Sequence, residues 1–258
     1  ALVSLTGDVS TGKAVARAAA DTLKRCHLEL GGKAPVLVFA DADLTQVVRV
    51  LRTASFTNTG QDCTAACRIY VHRDVHQALL RDLVAAAESL KLTQGGAAGD
   101  LGPLISARQR ERVAGFVTRA RAAGHMRVLT GGSAAEGPGF YYHPTVIDGA
   151  RLEDEIIQRE VFGPVVTVST FADEEEAVAL ANGVDYGLSA SLFTRDLTRA
   201  LDLSRRLRFG AVWINDHMPL CSEMPHGGFR QSGYGKDLSQ YALEAYTEVK
   251  HVMARLRG

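Results

Sequence analysis

Apolar and polar positions alternate along the chain in a pattern that predicts strands and helices in turn. Short apolar runs predict buried strands, and apolar residues spaced three or four apart predict helices. The predicted strands are 3–6, 34–39, 68–72, 127–130, 141–147, 165–171, 189–193, 211–214 and 247–254. The predicted helices are 10–23, 43–54, 75–90, 106–123, 174–182, 197–207 and 239–245. This alternation is typical of an α/β protein with a mainly parallel sheet flanked by helices.

Glycine and proline mark the breaks between these elements. Residues 7–12 and the glycine-rich stretch 93–102 predict loops. In residues 225–235, five of eleven are Gly or Pro, which predicts a segment that crosses between domains. Ser106 and Gln109 have the spacing of a helix capping box.

Composition restricts the classes of partner. The chain has 258 residues, 46% of them hydrophobic, which is enough for one large or two modest domains. Its 29 basic and 29 acidic residues balance, so no overall field favours nucleic acid or a membrane surface. Small molecules or other chains are the expected partners. No apolar run approaches about 18 residues and no signal peptide is evident, so we expect a cytoplasmic protein.

The four cysteines are too few and too scattered to predict a disulfide framework. They are Cys26, Cys63, Cys67 and Cys221. Cys63 and Cys67 have C-x3-C spacing, but no second Cys or His pair completes a zinc-site pattern. We therefore expect no metal site.

Cys63 follows a polar, glycine-punctuated loop, Asn58-Thr59-Gly60-Gln61-Asp62, which comes after the apolar segment 44–56. A thiol on such a loop can meet a ligand, although a free cysteine can also pack as a small hydrophobe. A nucleophilic thiolate needs a base or a positive setting, and donors for the oxyanion. The amides of Asn58 and Gln61 are candidate donors. Histidines that could fold in from a distance are His27, His72 and His226, each of which could instead be a surface or core residue.

Two glycine-containing motifs lie before this loop. The motif Gly7-x4-Gly12, between a strand and a helix, predicts either a phosphate-binding turn or an ordinary structural turn. Glu29 precedes Gly31 and Gly32 at a helix-to-strand junction, where partial burial could make its carboxylate a general base. The alternative is a surface glutamate beside a turn.

A further motif is Glu160-Val161-Phe162-Gly163-Pro164. Residues two apart on an extended segment share a face. A carboxylate there can bind a ribose diol and an aromatic ring can pack against a flat ring. Alternatively, Phe162 belongs to the core.

Together these stretches resemble the NAD(P)-dependent aldehyde dehydrogenase superfamily. They are Ser4-Leu5-Thr6-Gly7, Glu29-Leu30-Gly31-Gly32-Lys33, Gly60-Gln61-Asp62-Cys63, Glu160-Val161-Phe162-Gly163-Pro164 and Pro225-His226-Gly227-Gly228. The resemblance covers nearly the whole chain but only the carboxyl-terminal half of a family member. It implies the family's catalytic domain with a remnant of a Rossmann-like cofactor domain. Ala1 and the opening strand also suggest a piece of a longer protein.

This resemblance implies three segments. Residues 1–30 would end the NAD-binding domain, and residues 31–228 would form the cysteine-bearing catalytic domain. Residues 229–258 would form a crossing tail with an oligomerisation strand, so a homodimer or homotetramer is expected.

The resemblance also implies residue roles. Cys63 would attack an aldehyde to give a thiohemiacetal, and hydride transfer to NAD would leave a thioester. Glu29 would activate either the thiol or the water that hydrolyses the thioester. Residues implied to bind the cofactor are Gly7, Leu30, Glu160 and Phe162.

Several stretches look most like bacterial γ-aminobutyraldehyde dehydrogenases of putrescine degradation, with betaine aldehyde and general aldehyde dehydrogenases as alternatives. The stretches are ELGGKAPV, GQDCTAACRIY, SEMPHGG and SGYGKDLS. The implied substrate is a small aminoaldehyde such as 4-aminobutanal. Asp62 and Glu223 could attract its charge, or could be ordinary polar loop residues.

Two positions depart from the family pattern. Asp8 stands where a serine usually donates to the cofactor pyrophosphate, and Asp237 where many members have a relay glutamate. The implied oxyanion asparagine would lie outside the chain, so the chain alone is expected to be inactive. Two other interpretations remain: a cysteine esterase or acyl-transfer enzyme without a redox step, and a non-catalytic fragment.

Overall fold

The computed structural model describes residues 2–93 and 98–256; part of the predicted loop 93–102 therefore lies outside the described residues. The strands are β1 (Leu2–Thr6), β2 (Arg25–Glu29), β3 (Ala34–Val38), β4 (Ala66–His72), β5 (Arg127–Thr130), β6 (Thr145–Asp148), β7 (Val165–Phe171), β8 (Tyr186–Gly187), β9 (Ser189–Phe193), β10 (Ala211–Ile214), β11 (Phe229–Arg230) and β12 (Gly233–Tyr234). The helices are α1 (Val9–Ala20), α2 (Leu44–Ala54), α3 (His76–Glu88), α4 (Ala107–Ala122), α5 (Glu155–Gln158), α6 (Glu174–Asn182), α7 (Leu197–Arg206) and α8 (Ser239–Ala245).

The main sheet has seven strands in the order β10-β9-β3-β4-β7-β6-β5. All neighbouring pairs are parallel except the edge pair of β5 and β6. The predicted α/β class is confirmed. No helix among the described residues is long and apolar enough to span a bilayer.

Helices cover both faces of this sheet because its central strands are apolar on both sides. In β3, Val36 and Val38 pack with residues of α2 and α3, whereas Leu37 between them packs with residues of α6 and α7. This two-residue alternation assigns successive side chains to opposite layers. All three are 0% exposed, so the centre of the domain is a rigid support for the loops at its edge.

A smaller sheet joins the two ends of the chain. β1 and β2 are parallel, and β12 from the tail pairs antiparallel with β2. The partner of Glu29 in this ladder is Gly233. The segment 225–235 therefore returns to the first thirty residues.

The structure corrects several predictions at the start of the chain. The helix predicted at 10–23 begins at Val9, because Asp8 caps it by accepting a hydrogen bond from the Ser10 N–H at 2.7 Å. Gly12 is therefore helical and not part of a loop. Strand β2, Arg25–Glu29, was not predicted, so Glu29 ends a strand and lies between two strands.

Two strand predictions near the other end are also corrected. The strand predicted at 141–147 is Thr145–Asp148. Residues 247–256, predicted to contain the last strand, form no strand within the chain and are exposed. A strand requires a hydrogen-bonded neighbour, so pairing of this segment with a second chain stays a prediction.

Replacing Asp43 by alanine should destabilise the chain by about 0.5–2 kcal/mol. Its carboxylate accepts from the Gln46 N–H at 3.1 Å and caps α2, the helix that leads to the Cys63 loop. Urea unfolding measures the change. The exposed Glu88→Ala variant should stay within about 0.5 kcal/mol of wild type, and an equal loss in both variants would contradict the capping role.

Candidate active site

A cleft of about 800 Å³ brings together all six predicted site residues. They are Gly7, Glu29, Leu30, Cys63, Glu160 and Phe162. Strands β1 and β2 end at this cleft, and the loop after α2 and the loop before β7 complete it. These residues come from four segments that are separated in sequence, and the fold brings them to one cleft.

The Cys63 loop has an unusual backbone path. Asn58 and Thr59 have positive φ angles of 50° and 58°, and Gly60 continues with 67°. A Cβ atom at Gly60 would lie 2.2 Å from the carbonyl oxygen of Gly163. Glycine is therefore required where the Cys63 loop touches the loop that bears Glu160.

Hydrogen bonds fix the backbone on either side of the thiol. The Asp62 carboxylate accepts from the Thr64 N–H at 2.7 Å, and His217 Nε2 lies 2.7 Å from the Thr64 carbonyl oxygen. His217 is 5% exposed, and burial lowers the pKa of its ring to about 4, so the ring is neutral and donates this bond. A Cβ atom at Gly32 would lie 2.0 Å from the Cys63 carbonyl oxygen. Cys63 thus sits on a firmly positioned backbone.

The predicted amide donors are used inside the loop. Asn58 Nδ2 donates to the Gln61 carbonyl at 2.8 Å, and Gln61 Nε2 donates to the Asn58 carbonyl at 3.1 Å. The Gln61 side-chain oxygen accepts from the Ile105 N–H at 2.9 Å. The expectation that these two amides stabilise an oxyanion is therefore not supported; they hold the loop.

The surroundings of Cys63 favour the neutral thiol. Burial raises the pKa of Cys63 to about 12, and the negative charges of Asp62, Glu160 and Glu29 add to the effect. A thiol in this setting is almost entirely protonated at neutral pH. It needs a base, or a positive ligand, before it can act as a nucleophile.

Alkylation of Cys63 by iodoacetamide should therefore accelerate about tenfold per pH unit between pH 7 and 10, because only the thiolate reacts. Burial raises the thiol pKa to about 12, so the thiolate fraction keeps growing over this whole range. Mass spectrometry of the labelled peptide measures the rate, with the exposed Cys221 monitored in the same sample. A rate at Cys63 that levels off below pH 9 would contradict the prediction.

Glu29 is 6% exposed at the end of β2. Burial and the negative charge of Asp237 raise the pKa of Glu29 to about 7, with the positive charge of Lys236 opposing them. His226 Nε2 lies 3.7 Å from Glu29 Oε2. A carboxyl group of this pKa exchanges protons near neutral pH, which suits a general base.

Two residues of α4 hold the loop that carries Glu160 and Phe162. Gln109 Nε2 donates to the carbonyls of Val161 and Phe162 at 3.1 and 2.7 Å. Arg112 donates to the carbonyls of Val161 and Glu160 at 2.7 and 2.6 Å. The Ser106 hydroxyl does cap α4, but the Gln109 side chain does not return to Ser106 as a capping box requires. No motif in the sequence predicts this role of Gln109 and Arg112.

Glu160 could bind a ribose. Its Oε1 accepts from the Gly32 N–H at 2.9 Å, and burial raises the pKa of its carboxyl group. Oε2 is left for a hydroxyl donor. Phe162 is in the left-handed region with φ 56° and also lines the cleft. These residues fit the nicotinamide-ribose end of a dinucleotide.

The start of α1 fits a pyrophosphate less well. The Asp8 carboxylate accepts from the N–H and the hydroxyl of Ser10 at 2.7 and 2.6 Å. These bonds lower the pKa of Asp8, and Arg112 assists. The group at the helix start is therefore an ionised carboxylate, which repels a phosphate, whereas Arg108 and Arg112 supply positive charge in the same cleft.

Three further residues were considered as catalytic or substrate-attracting groups: His72, Asp62 and Glu223. His72 lies 3.5 Å from Asp74 at the far end of β4 and does not line the cleft. Glu223 is exposed on the loop after β10, whereas Asp62 lines the cleft and its carboxylate accepts from the Thr64 N–H.

Comparisons with known proteins identify the family. The aldehyde dehydrogenase family matches residues 1–252. The chain is 43% identical over 256 residues to a betaine aldehyde dehydrogenase of Bacillus subtilis, with 97% of this chain and 52% of that protein covered. A Rhizobium etli betaine aldehyde dehydrogenase is 41% identical over 255 residues, with 98% and 52% covered. The chain thus spans about half the length of the curated relatives it matches.

Solved structures agree. A Staphylococcus aureus betaine aldehyde dehydrogenase variant superposes with a TM-score of 0.93 at 36% identity, covering 97% of this chain and 51% of that one. The same enzyme in complex with NAD+ gives a TM-score of 0.91 at 37% identity, covering 95% and 49%. The fold, the motifs that meet in the cleft and these matches agree, and the chain belongs to the aldehyde dehydrogenase family.

Proposed function

We propose that the chain forms the cysteine-bearing part of an NAD+-dependent enzyme that oxidises an aldehyde to a carboxylic acid. The observation that carries the proposal is the meeting of Cys63, Glu29 and Glu160 in one cleft. NAD+, when bound, accepts the hydride. The residues up to about 30 would then complete its binding domain.

In this mechanism Glu29 takes the proton of the Cys63 thiol as the sulfur attacks the aldehyde carbonyl. The resulting thiohemiacetal gives up a hydride and becomes a thioester. Glu29 then releases this proton to solvent and deprotonates a water molecule, which attacks the thioester carbonyl. The C–S bond breaks, the carboxylic acid leaves, and the Cys63 thiolate takes the proton back from Glu29 to restore the thiol. Glu160 would hold the nicotinamide ribose, and Phe162 would limit movement near the ring. Positioning of this kind is worth on the order of 7–11 kcal/mol of barrier.

We further propose that the substrate is a small aldehyde with a cationic group, such as 4-aminobutanal. The sequence stretches around Glu29, Cys63 and Asp237 support this choice. Betaine aldehyde is the second candidate, because relatives matched by the chain are named for it. Both substrates carry a positive charge, which acidic residues such as Asp62 and Glu223 attract at long range.

A rate comparison tests the proposal. The full-length enzyme that contains this chain should reduce NAD+ with 4-aminobutanal at a higher kcat/KM than with betaine aldehyde or an uncharged alkanal of similar length. Preference for the alkanal would contradict the cationic substrate. If the enzyme hydrolyses esters but does not reduce NAD+, a cysteine esterase is favoured instead. If neither aldehydes nor nitrophenyl esters label Cys63 selectively, a non-catalytic protein is favoured.

A further inference from the structure

Three potential metal-binding side chains converge at the end of β2. His27 and Glu29 are two residues apart on this strand and therefore point to one face. Asp237 comes from the tail, just beyond β12, which pairs with β2. One donor atom from each residue lies within 4.8 Å of the donor atoms of the other two.

Two of these side chains, His27 and Glu29, are buried, and each has a polar atom without a hydrogen-bond partner among the described residues. His27 is 1% exposed, its Nε2 has no hydrogen bond to residues 2–93 or 98–256, and this nitrogen lies 3.4 Å from Asp237 Oδ1. Within the same part of the chain, Glu29 Oε1 has no hydrogen bond either. Buried polar atoms are nearly always bonded, so the pair indicates a site that a cation can complete.

The other ring nitrogen of His27 is already held. Nδ1 lies 3.1 Å from the Tyr246 hydroxyl oxygen. When the Nδ1–H donates to that oxygen, the Nε2 lone pair faces the Asp237 carboxylate, and the two repel unless a cation lies between them. Histidines that bind metals commonly have their second nitrogen fixed in this way.

The donor set selects the class of metal. Imidazole nitrogen suits Zn²⁺ and its transition-metal neighbours, whereas Mg²⁺ prefers oxygen ligands alone. Zn²⁺ bonds of about 2.0–2.1 Å place tetrahedral ligands roughly 3.3 Å apart. The observed 3.4 Å between His27 Nε2 and Asp237 Oδ1 matches that spacing.

We propose that His27, Glu29 and Asp237 bind Zn²⁺, with water as the fourth ligand, and that the bound ion withdraws Glu29 from catalysis. The binding stands on the cluster alone; the inhibition rests on the proposed function. Lys236 is the competing cation, since its ammonium donates to the Gly227 carbonyl and lies near Glu29. Affinity should therefore be lower than that of closed structural zinc sites.

Calorimetric titration of the 258-residue chain with ZnCl₂ tests the binding. We expect one ion per chain, with only nitrogen and oxygen ligands in the zinc K-edge absorption spectrum. His27→Gln and Asp237→Asn should each weaken binding at least about tenfold. The matched control is His125→Gln, which breaks a different His–carboxylate pair of 2.8 Å, and its affinity should stay within about twofold of wild type.

Sulfur ligands in the spectrum, no saturable binding, or unchanged affinity in both site variants would overturn the site. If circular dichroism shows that His27→Gln loses its fold, Tyr246→Phe provides the alternative. It removes one hydroxyl from a half-exposed side chain and should weaken binding about tenfold. Unchanged affinity in Tyr246→Phe would also count against the site.

The inhibition has a separate readout. In the full-length enzyme, micromolar Zn²⁺ should slow aldehyde oxidation, a chelator should restore it, and Mg²⁺ at the same concentration should have no effect. Zinc that binds with the expected ligands but leaves the rate unchanged would overturn the inhibition. If the enzyme does not oxidise aldehydes at all, the proposed function fails while the binding result stands.

Discussion

Replacing Cys63 by serine is expected to lower aldehyde oxidation by the full-length enzyme at least about 10³-fold. A serine hydroxyl is a far weaker nucleophile than sulfur and cannot form the thioester from which the acid is released. The hydrogen bonds around Asp62 and Thr64 use no Cys63 side-chain atom, so the loop should keep its shape. Steady-state reduction of NAD+ at saturating aldehyde measures the loss.

Cys67→Ser is the matched control for this substitution. Cys67 is four residues away and half-buried, and its sulfur contacts the Ala34 carbonyl at 3.9 Å, which a hydroxyl can replace. Its rate should stay within about threefold of wild type. If Cys67→Ser loses activity while Cys63→Ser retains it, Cys67 rather than Cys63 is the nucleophile and the mechanism is contradicted.

The main sheet was predictable because its strands are short, apolar and bounded by turns. Strand β3 has five buried residues in a row, which periodicity detects. Strand β2 escaped prediction because its sequence, RCHLE, is mixed, and its burial comes from pairing with β1 and β12. Pairing partners distant in sequence are not visible in a local pattern.

The residues of the candidate site were predictable for a different reason. Cys63, Glu29 and Glu160 each lie beside glycines in motifs that resemble a family, and the fold places them in one cleft. The contacts of Gln109 and Arg112 with the Glu160 loop were not predicted, because both side chains donate to main-chain carbonyls about 50 positions away. Any residue type can supply a carbonyl, so no motif records such a contact.

The cluster at His27 escaped for a similar reason. Cysteine spacing suggested no metal site, but the potential ligands here are a histidine and two acids. His27 and Asp237 lie at opposite ends of the chain and meet only because β12 returns to β2. Topology, rather than spacing along the sequence, creates this juxtaposition.

Glu29→Gln is expected to lower the steady-state rate of aldehyde oxidation by about 10²–10⁴-fold, the usual effect of removing a general base. The amide is nearly isosteric with the carboxyl group but cannot accept a proton. Because burial holds the pKa of the Cys63 thiol at about 12, loss of the base should slow thiol activation as well as thioester hydrolysis. Stopped-flow measurement of reduced cofactor should therefore show a slower first turnover together with slower later turnovers.

The two halves of this prediction can be separated within one experiment. A first turnover at the wild-type rate, followed by slow turnovers, would confine Glu29 to the hydrolytic step and show that another group activates Cys63. The control is Glu153→Gln, an exposed acid outside the cleft, whose rates should stay within about twofold of wild type. A rate in Glu29→Gln within about threefold of wild type would remove Glu29 from the mechanism, since no general base is so weakly needed.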